Sequence, residues 1–268
     1  MKLPILNTEK RKTGEKELPL QFQESYRPDL IKRACHALAS VARQSYGAQP
    51  EAGMRHSTKV SKRRRDYKGC YGFGVSRVAR KVLSKRGMRM FWVGAFSPQT
   101  RGGRRAHPPK SEKIFAQKIN IQENRKAIRS ALSATVNKDL VLLRGHKVPA
   151  EYPFILDSSS EQLIKTKDVE NLLVKLGFAD ELERADKRKV RAGRGKTRGR
   201  KYQNKKSLLL VVSGNCPLIK AAENIPGIEV VQARAVNADL LAPGAQPGRA
   251  TLCTDKALDL LEKEKLFI

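Results

Sequence analysis

Residues 46–110 combine the two kinds of side chain that bind nucleic acid. The segment holds seventeen lysines or arginines against two acids, Glu51 and Asp66, and nine glycines are spread through it. Guanidinium groups bind phosphate through paired hydrogen bonds, and aromatic rings stack on unpaired bases. Aromatic residues lie between the basic clusters, namely Tyr67, Tyr71, Phe73, Phe91, Trp92 and Phe96.

A segment of this composition cannot bury its own backbone, so we predict that it folds against a polyanion. A disordered, solvated tail is the alternative, but tails of that kind are poor in Trp and Phe. A second basic tract, residues 187–206, has eleven basic residues, no acids and three glycines. Solvated surface charge is the alternative there. The candidate RNA-binding residues of the two stretches are Arg55, Lys62, Arg63, Arg64, Arg65, Arg77, Arg80, Lys81, Arg86, Arg89, Arg101, Arg104, Arg105, His107, Lys110, Arg191, Arg194, Lys196, Arg198 and Arg200.

The charge of the whole chain favours the same kind of partner. Its 268 residues carry a formal net charge of +29, which indicates nucleic acid first and an anionic membrane second. A membrane protein would need a basic amphipathic helix or an apolar run of ~20 residues, whereas the longest apolar run here is Leu208 to Val212. We therefore predict no membrane partner. Because the N-terminus has no apolar signal segment, we also expect a cytoplasmic protein.

The sequence offers little for catalysis or for metal binding. Its four histidines are scattered and form no grouping with a nucleophile or with paired carboxylates. Its four cysteines are far apart and form no CxxC pair, so we expect reduced thiols and no zinc site. The run Gly195-Lys196-Thr197 resembles the end of a phosphate-binding P-loop, but Val190 replaces the first glycine. We predict no enzyme, no cofactor and no metal.

The rest of the chain predicts a globular α/β body, residues 1–45 and 111–268, from which the extended basic loop at 46–110 is separate. A strand is expected at Leu3–Leu6, paired with one at Leu18–Phe22, and strands or extended segments are expected at Leu140–Leu143 and Pro153–Leu156. In the last sixty residues strands and helices alternate, with strands at 208–212, 228–231 and 250–253 and helices after Pro217, Asn237 and Asp255. Such alternation is typical of parallel strands, so we expect a mostly parallel sheet flanked by helices.

The turn Ser213-Gly214-Asn215 follows a predicted strand and could offer backbone N–H groups to a phosphate. An RNA-modifying enzyme with a basic substrate-binding arm is therefore the alternative function, and it would need a ligand pocket at this edge of the sheet. A free RNA chaperone is a third hypothesis, which differs only in whether the protein stays bound to its RNA.

Several short motifs together resemble one protein family. They are Arg27-Pro28-Asp29-Leu30-Ile31, the run from Arg101 to Lys110 (RGGRRAHPPK), the run from Ala127 to Leu132 (AIRSAL), the run from Arg191 to Lys196 (RAGRGK), Asn224 to Ile228 (NIPGI) and Leu241 to Gly244 (LAPG). They span nearly the entire chain. In this combination the chain resembles the fourth universal protein of the large ribosomal subunit, in its archaeal and eukaryotic form.

The resemblance implies a non-catalytic scaffold whose body and basic tract bind large-subunit rRNA. It also implies a long loop that passes through the rRNA and helps to form the nascent-peptide exit tunnel. The implied partners are large-subunit rRNA, neighbouring ribosomal proteins, and the nascent polypeptide at the loop tip. The residues that match the family's loop tip are Ser76, Arg77, Val78, Ala79, Arg80, Arg86, Gly87, Met88 and Arg89.

Overall fold

The computed structural model describes residues 1–58, 60–66 and 69–268. The chain divides into two compact units. We call the first the body, which consists of Met1–Ala42 and Ala116–Ile268, and the second the loop unit, which is Arg43–Phe115. The predicted aromatic residue Tyr67 lies outside the described residues.

Helices and short strands alternate along the body, which confirms the α/β class. The α-helices are α1 (Pro28–Val41), α2 (Ile121–Val136), α3 (Lys138–Leu143), α4 (Thr166–Lys175), α5 (Ala179–Asp186), α6 (Pro217–Glu223), α7 (Ala238–Leu241) and α8 (Asp255–Lys263). The strands are β1 (Lys2–Leu6), β2 (Lys12–Glu17), β3 (Arg80–Arg86), β4 (Arg89–Gly94), β5 (Ile155–Leu156), β6 (Lys189–Val190), β7 (Tyr202–Gln203), β8 (Leu209–Val212), β9 (Glu229–Gln232) and β10 (Thr251–Cys253). Of these, β3 and β4 belong to the loop unit.

The sequence predicted one mostly parallel sheet in the body, but the structure has two separate three-stranded sheets there. Among the described residues, β2-β1-β5 form a three-stranded sheet with one antiparallel and one parallel pair. The second sheet, β10-β8-β9, is parallel throughout, with Leu210 of β8 opposite both Leu252 and Val230. A parallel bridge from Leu156 to Thr254 is the described link between the two sheets.

The first hairpin is built from a charged strand that the sequence did not predict. Strand β2 runs through Lys12–Glu17 at one edge of its sheet, and its side chains alternate in exposure because successive residues of a strand point to opposite faces. The segment expected to be this strand, Leu18–Phe22, instead contains a 3₁₀ turn at Leu20–Phe22, which follows Pro19. Proline cannot donate to a strand ladder, so the chain turns there. The side-chain amide of Gln21 donates to the carbonyl of Leu261 at 2.7 Å.

The predicted strand at Leu140–Leu143 is also wrong, because these residues lie in helix α3. The Asn137 side chain accepts a hydrogen bond from the Asp139 backbone N–H at 3.0 Å, which caps the start of that helix. Val141 is its buried side chain, and Leu143 is exposed. A short apolar run does not by itself distinguish a strand from one helical turn.

Strand β8 organises the core, since both of its faces are buried. Leu209 and Val211 pack into one apolar cluster with α1, α2 and α8, and Leu208, Leu210 and Val212 pack into a second cluster with α4 and α6. All five side chains are at most 2% exposed. Because successive side chains of a strand point to opposite faces, this continuous apolar run places helices on both sides of the sheet.

A buried carboxylate links the helix before the second basic tract to the residue that follows the tract. Glu181 on α5 is fully buried and accepts hydrogen bonds from the Arg184 guanidinium at 2.6 Å, the Lys147 backbone N–H at 2.9 Å and the Ser207 hydroxyl at 3.0 Å. The Nδ1 of His146 lies 2.7 Å from the same carboxylate. Burial alone would raise the pKa of Glu181, but the hydrogen bonds from Arg184, His146 and Lys147 outweigh it and lower the pKa to about 2.

The loop unit has almost no apolar core. Among its described residues, Cys70 and Ala95 are the only buried hydrophobic side chains. Strands β3 and β4 form an antiparallel hairpin in which Val82 lies opposite Trp92, and an irregularity in the pairing falls at Leu83. The hairpin was not predicted from the sequence, because its strands are rich in charge and carry no clean alternation.

Contacts between backbone atoms hold together the two ends of the loop unit, which we call the outgoing leg (residues 43–54) and the returning leg (residues 101–115). The Ala48 N–H donates to the Pro109 carbonyl at 2.9 Å. A Cβ on Gly53 would lie 2.5 Å from the Gly103 carbonyl oxygen, and Gly53 also has a φ of +78°. Both conditions require glycine at this position. We call this close approach of Gly53 and Gly103 the glycine crossing.

The substitution Glu181→Gln should destabilise the body by about 3 kcal/mol at pH 7, because it removes the buried carboxylate that is the counter-charge of the half-buried Arg184. A depressed carboxyl pKa contributes stability above pH 4.5 that is lost as the pH falls towards 2. The difference between wild type and variant should therefore shrink below pH 4.5. Urea unfolding of the full chain at pH 7 and pH 3.5 measures it. Glu183→Gln is the control, since Glu183 is an exposed residue of the same helix paired with Lys187, and equal stabilities of the two variants would contradict the prediction.

The substitution Gly53→Ala should open the glycine crossing, whereas Gly72→Ala should not. Both positions have positive φ, so both variants incur the cost of left-handed backbone, about 1–2 kcal/mol. Gly72 has no atom within 4 Å of an added Cβ, but Gly53 has the Gly103 backbone. Hydrogen exchange should accelerate in the loop unit of Gly53→Ala by about tenfold over Gly72→Ala, with the body unchanged. Equal exchange in the two variants would show that the crossing does not hold the unit.

Candidate nucleic-acid interface

The predicted basic residues of the loop unit lie in three stretches of the described structure. Lys62, Arg63, Arg64 and Arg65 are exposed in a turn where the Ser61 hydroxyl donates to Asp66 at 2.7 Å. The second stretch is the β3–β4 hairpin, which carries Arg80, Lys81, Arg86 and Arg89. The third is the returning leg, where Arg101, Arg105, His107 and Lys110 are exposed and Arg104 is half-buried. Arg55 is exposed and contacts the Gln49 side chain.

The hairpin separates the residues that were matched to the loop tip. Arg86 pairs with Arg89, so Gly87 and Met88 form the two-residue turn, and Met88 is 98% exposed. Ser76, Val78 and Ala79 lie at the other end of the hairpin, where the Ala95 N–H donates to the Ala79 carbonyl at 2.9 Å. The Arg80 guanidinium donates to the Val78 carbonyl and to the Ser76 hydroxyl there. A seven-residue strand spans roughly 20 Å, so the two groups cannot occupy one tip.

Arginine side chains lie against aromatic rings in this unit. The guanidinium of Arg77 is 4.4 Å from the centre of the Tyr71 ring, and that of Arg64 is 5.7 Å from the same ring. The Arg89 guanidinium lies 5.3 Å from the Phe91 ring. These cation–π contacts orient the cations without neutralising their charge.

The salt bridges between pairs of described residues lie in the body. Salt bridges there include Lys16 with Asp255, Arg129 with Glu24 and Arg234 with Glu264. None of the arginines described in the loop unit forms a salt bridge. Their charge is therefore compensated by solvent ions or by a partner.

The second basic tract folds as a short hairpin. Val190 pairs with Tyr202, the Arg191 N–H donates to the Lys201 carbonyl at 2.8 Å, and a 3₁₀ turn spans Arg194–Arg198. Arg194, Lys196, Arg198 and Arg200 are exposed around this turn, and Arg191 is half-buried. At the end of the tract, Lys206 forms a salt bridge with Glu229, which also accepts from the fully buried Arg249 at 2.5 Å.

The edge of the parallel sheet where a nucleotide would bind holds a side chain of the protein itself. The Glu161 carboxylate accepts from the Ser213 N–H at 2.9 Å, from the Ser213 hydroxyl at 2.7 Å and from the Thr254 hydroxyl at 2.6 Å. Burial alone would raise the pKa of Glu161, but these hydrogen bonds hold it below its usual value. The Ser213 amide is thus already bonded to an anion and is not available to a phosphate.

In the described part of the chain, no group of three or more His, Cys, Asp or Glu side chains is arranged to hold a metal. None of the helices described is long and apolar enough to cross a bilayer.

One feature of the loop unit was not found from the sequence. Tyr46 and Phe115, from opposite ends of the unit, stack with ring centres 5.7 Å apart and planes inclined by 15°. The Arg43 guanidinium lies 4.3 Å from the centre of the Phe115 ring. The two rings line an open cleft of ≈ 610 Å³ together with residues 105–113 of the returning leg. No local pattern indicates a pair that is so far apart in sequence.

Comparison with known proteins agrees with the motif resemblance. A model of the ribosomal protein L4/L1 family matches residues 16–264. The large ribosomal subunit protein uL4 of Nanoarchaeum equitans is 47% identical over 268 residues, covering 100% of both chains. The proteins of the same name from Archaeoglobus fulgidus and Methanocaldococcus jannaschii are 44% and 43% identical, and cover 97% and 98% of this chain and 98% and 99% of their own. The chain therefore belongs to the ribosomal protein L4/L1 family, a family of ribosomal proteins and not of enzymes.

Proposed function

We propose that this chain is a structural constituent of the large ribosomal subunit, which binds large-subunit rRNA through the loop unit and through the basic tract of the body. One observation carries the proposal. The loop unit exposes many cations, the arginines described in it form no salt bridge, and Cys70 and Ala95 are its only buried apolar side chains among the residues described. A polyanion supplies both the missing counter-charge and the missing contact surface.

The β3–β4 hairpin is the part of the loop unit proposed to reach the nascent-peptide exit tunnel. Its turn, Gly87-Met88 between Arg86 and Arg89, is narrow and fully exposed. Arg77 and Arg80, at the other end of the hairpin, then bind rRNA and do not line the tunnel. Neighbouring ribosomal proteins and the nascent polypeptide at the turn are the remaining partners that we propose, with the ribosome of the cytoplasm as the location.

The alternative function, an RNA-modifying enzyme, requires a ligand pocket beside Ser213. The Glu161 carboxylate fills the position at which that amide would bind a cofactor phosphate. A bound phosphate would have to displace a buried, triply hydrogen-bonded carboxylate and then share its space with a like charge. This geometry counts against the enzyme and favours the scaffold.

Binding of the full chain to a large-subunit rRNA fragment should weaken steeply with salt, because each phosphate contact releases condensed counterions. Replacing Arg101, Arg104 and Arg105 together by glutamine should make the slope of log affinity against log salt shallower by about 2–3. The control is a triple replacement of Lys12, Arg27 and Arg234 by glutamine, which lowers the net charge by the same three units. These cations lie outside both proposed surfaces and are paired with Glu15, Asp29 and Glu264, so the slope should change little. Equal changes of slope in both variants would contradict a dedicated interface in the loop unit.

A permanent constituent should co-sediment with the large ribosomal subunit. Lysate of the source cells is run through a gradient at moderate salt, and the protein is quantified by mass spectrometry in each fraction. We expect one copy per large subunit, with little in the light fractions, because many phosphate contacts break together only slowly. A free RNA chaperone would instead be found mostly in the light fractions, and that distribution would overturn the assignment as a constituent.

A further inference from the structure

The cleft between the two ends of the loop unit has the features of a binding site for a nucleotide. We call it the stem cleft and define it by Tyr46, Arg105, His107, Lys110, Lys113 and Phe115. Its volume is ≈ 610 Å³, and it is open to solvent. Concave sites of this size that combine ring surface with a few polar groups are typical of small-ligand binding.

Ring surface in the stem cleft is accessible. Tyr46 and Phe115 stack at 5.7 Å, yet Tyr46 keeps 56% of its surface exposed. The two rings come from segments with no apolar core beneath them, since Cys70 and Ala95 are the only buried apolar side chains among the residues described in the unit. An exposed stack of this kind is a platform on which a planar base can continue the stacking.

The charge of the stem cleft complements a phosphate. Arg105, Lys110 and Lys113 line it together with His107, against one acid, Glu112. Three contacts hold cations at the aromatic pair. Arg43 lies 4.3 Å from the centre of the Phe115 ring and 5.9 Å from that of the Tyr46 ring, and Lys113 lies 5.6 Å from the centre of the Phe115 ring. Rings beside unneutralised cations match the two ends of a nucleotide, a flat base and an anionic phosphate.

We propose that the stem cleft binds one unpaired nucleotide of RNA, with its base against Tyr46 and its phosphate at Arg105, Lys110 and Lys113. This inference rests on the proposed RNA-binding function and names a specific contact within it. A paired nucleotide does not fit this role, because its base faces are already stacked inside a helix. An acidic protein segment would use the cations but would leave the ring surface without a partner.

The proposal has a structural consequence for the loop unit. Tyr46 lies on the outgoing leg, and residues 105–115 lie on the returning leg. The legs already meet here, through the hydrogen bond from Ala48 to Pro109 and through Gly47, where an added Cβ would lie 2.4 Å from the Ser111 nitrogen. A nucleotide that contacts both legs would therefore strengthen a junction that the backbone already makes.

The test compares binding of the full chain to two RNAs, a single-stranded twelve-nucleotide oligoadenylate and a twelve-base-pair duplex. Tyr46→Leu should lower affinity for the single strand by about 5-fold or more, the loss expected when one base–aromatic stack is removed. Its affinity for the duplex should stay within about twofold of wild type. Tyr46→Phe should bind both RNAs as wild type does, because the ring and not the hydroxyl makes the contact.

Tyr26→Leu is the matched control, since Tyr26 is an exposed tyrosine of the body. It should change neither affinity. Equal losses on both RNAs for Tyr46→Leu would assign Tyr46 a role in folding, and no loss on either would leave an acidic protein segment as the occupant to test. Both outcomes overturn the proposal while the proposed function stands. Failure of the wild-type chain to bind either RNA would instead contradict the proposed function itself.

Discussion

Mutual repulsion among the cations of the loop unit is the constraint on which the rest of this protein depends. Seventeen basic residues lie between positions 46 and 110, with two acids to offset them. The structure meets this constraint with backbone hydrogen bonds, arginine–aromatic contacts and glycine-only approaches of the two legs. None of these neutralises charge. The proposed rRNA would supply the anion that does so.

The body carries a second cationic hairpin, β6–β7, and here ion pairs with acidic residues fix the position of the basic segment. Buried and half-buried charges do this where the tract ends. Arg184 bonds to the buried Glu181 and also to the Lys206 carbonyl at 2.9 Å, while the Lys206 side chain meets Glu229, which in turn accepts from Arg249. These pairs connect α5, the tract and β9 through groups whose desolvation is compensated by several hydrogen bonds each. The arginines around the β6–β7 turn therefore project from an anchored base.

Much of the body could be predicted from the sequence, and the failures have physical reasons. The run Leu208–Val212 was identified because continuous apolar residues fit a strand buried on both faces. The strand predictions at Leu18–Phe22 and Leu140–Leu143 were wrong because short apolar runs do not show whether they are helix or strand. Pro19 leads into a 3₁₀ turn in the first segment, and the Asn137 side chain caps a helix at the second. At the candidate site, composition indicated which residues meet a polyanion but not how they are arranged. The stacking of Tyr46 on Phe115 depends on the closure of a long loop, which leaves no local trace in the sequence.

The geometry of the glycine crossing does not depend on the length of the loop between its two glycines. Gly53 and Gly103 touch through backbone atoms alone, so nothing in the contact depends on how many residues lie between them. The entropy of closing a loop grows only with the logarithm of its length, and doubling the loop costs about 0.6 kcal/mol more. The segment between Gly53 and Gly103 could therefore be lengthened or shortened at small thermodynamic cost without changing the contact between these two glycines. Variants of this chain with loops of different lengths should thus keep the same glycine crossing.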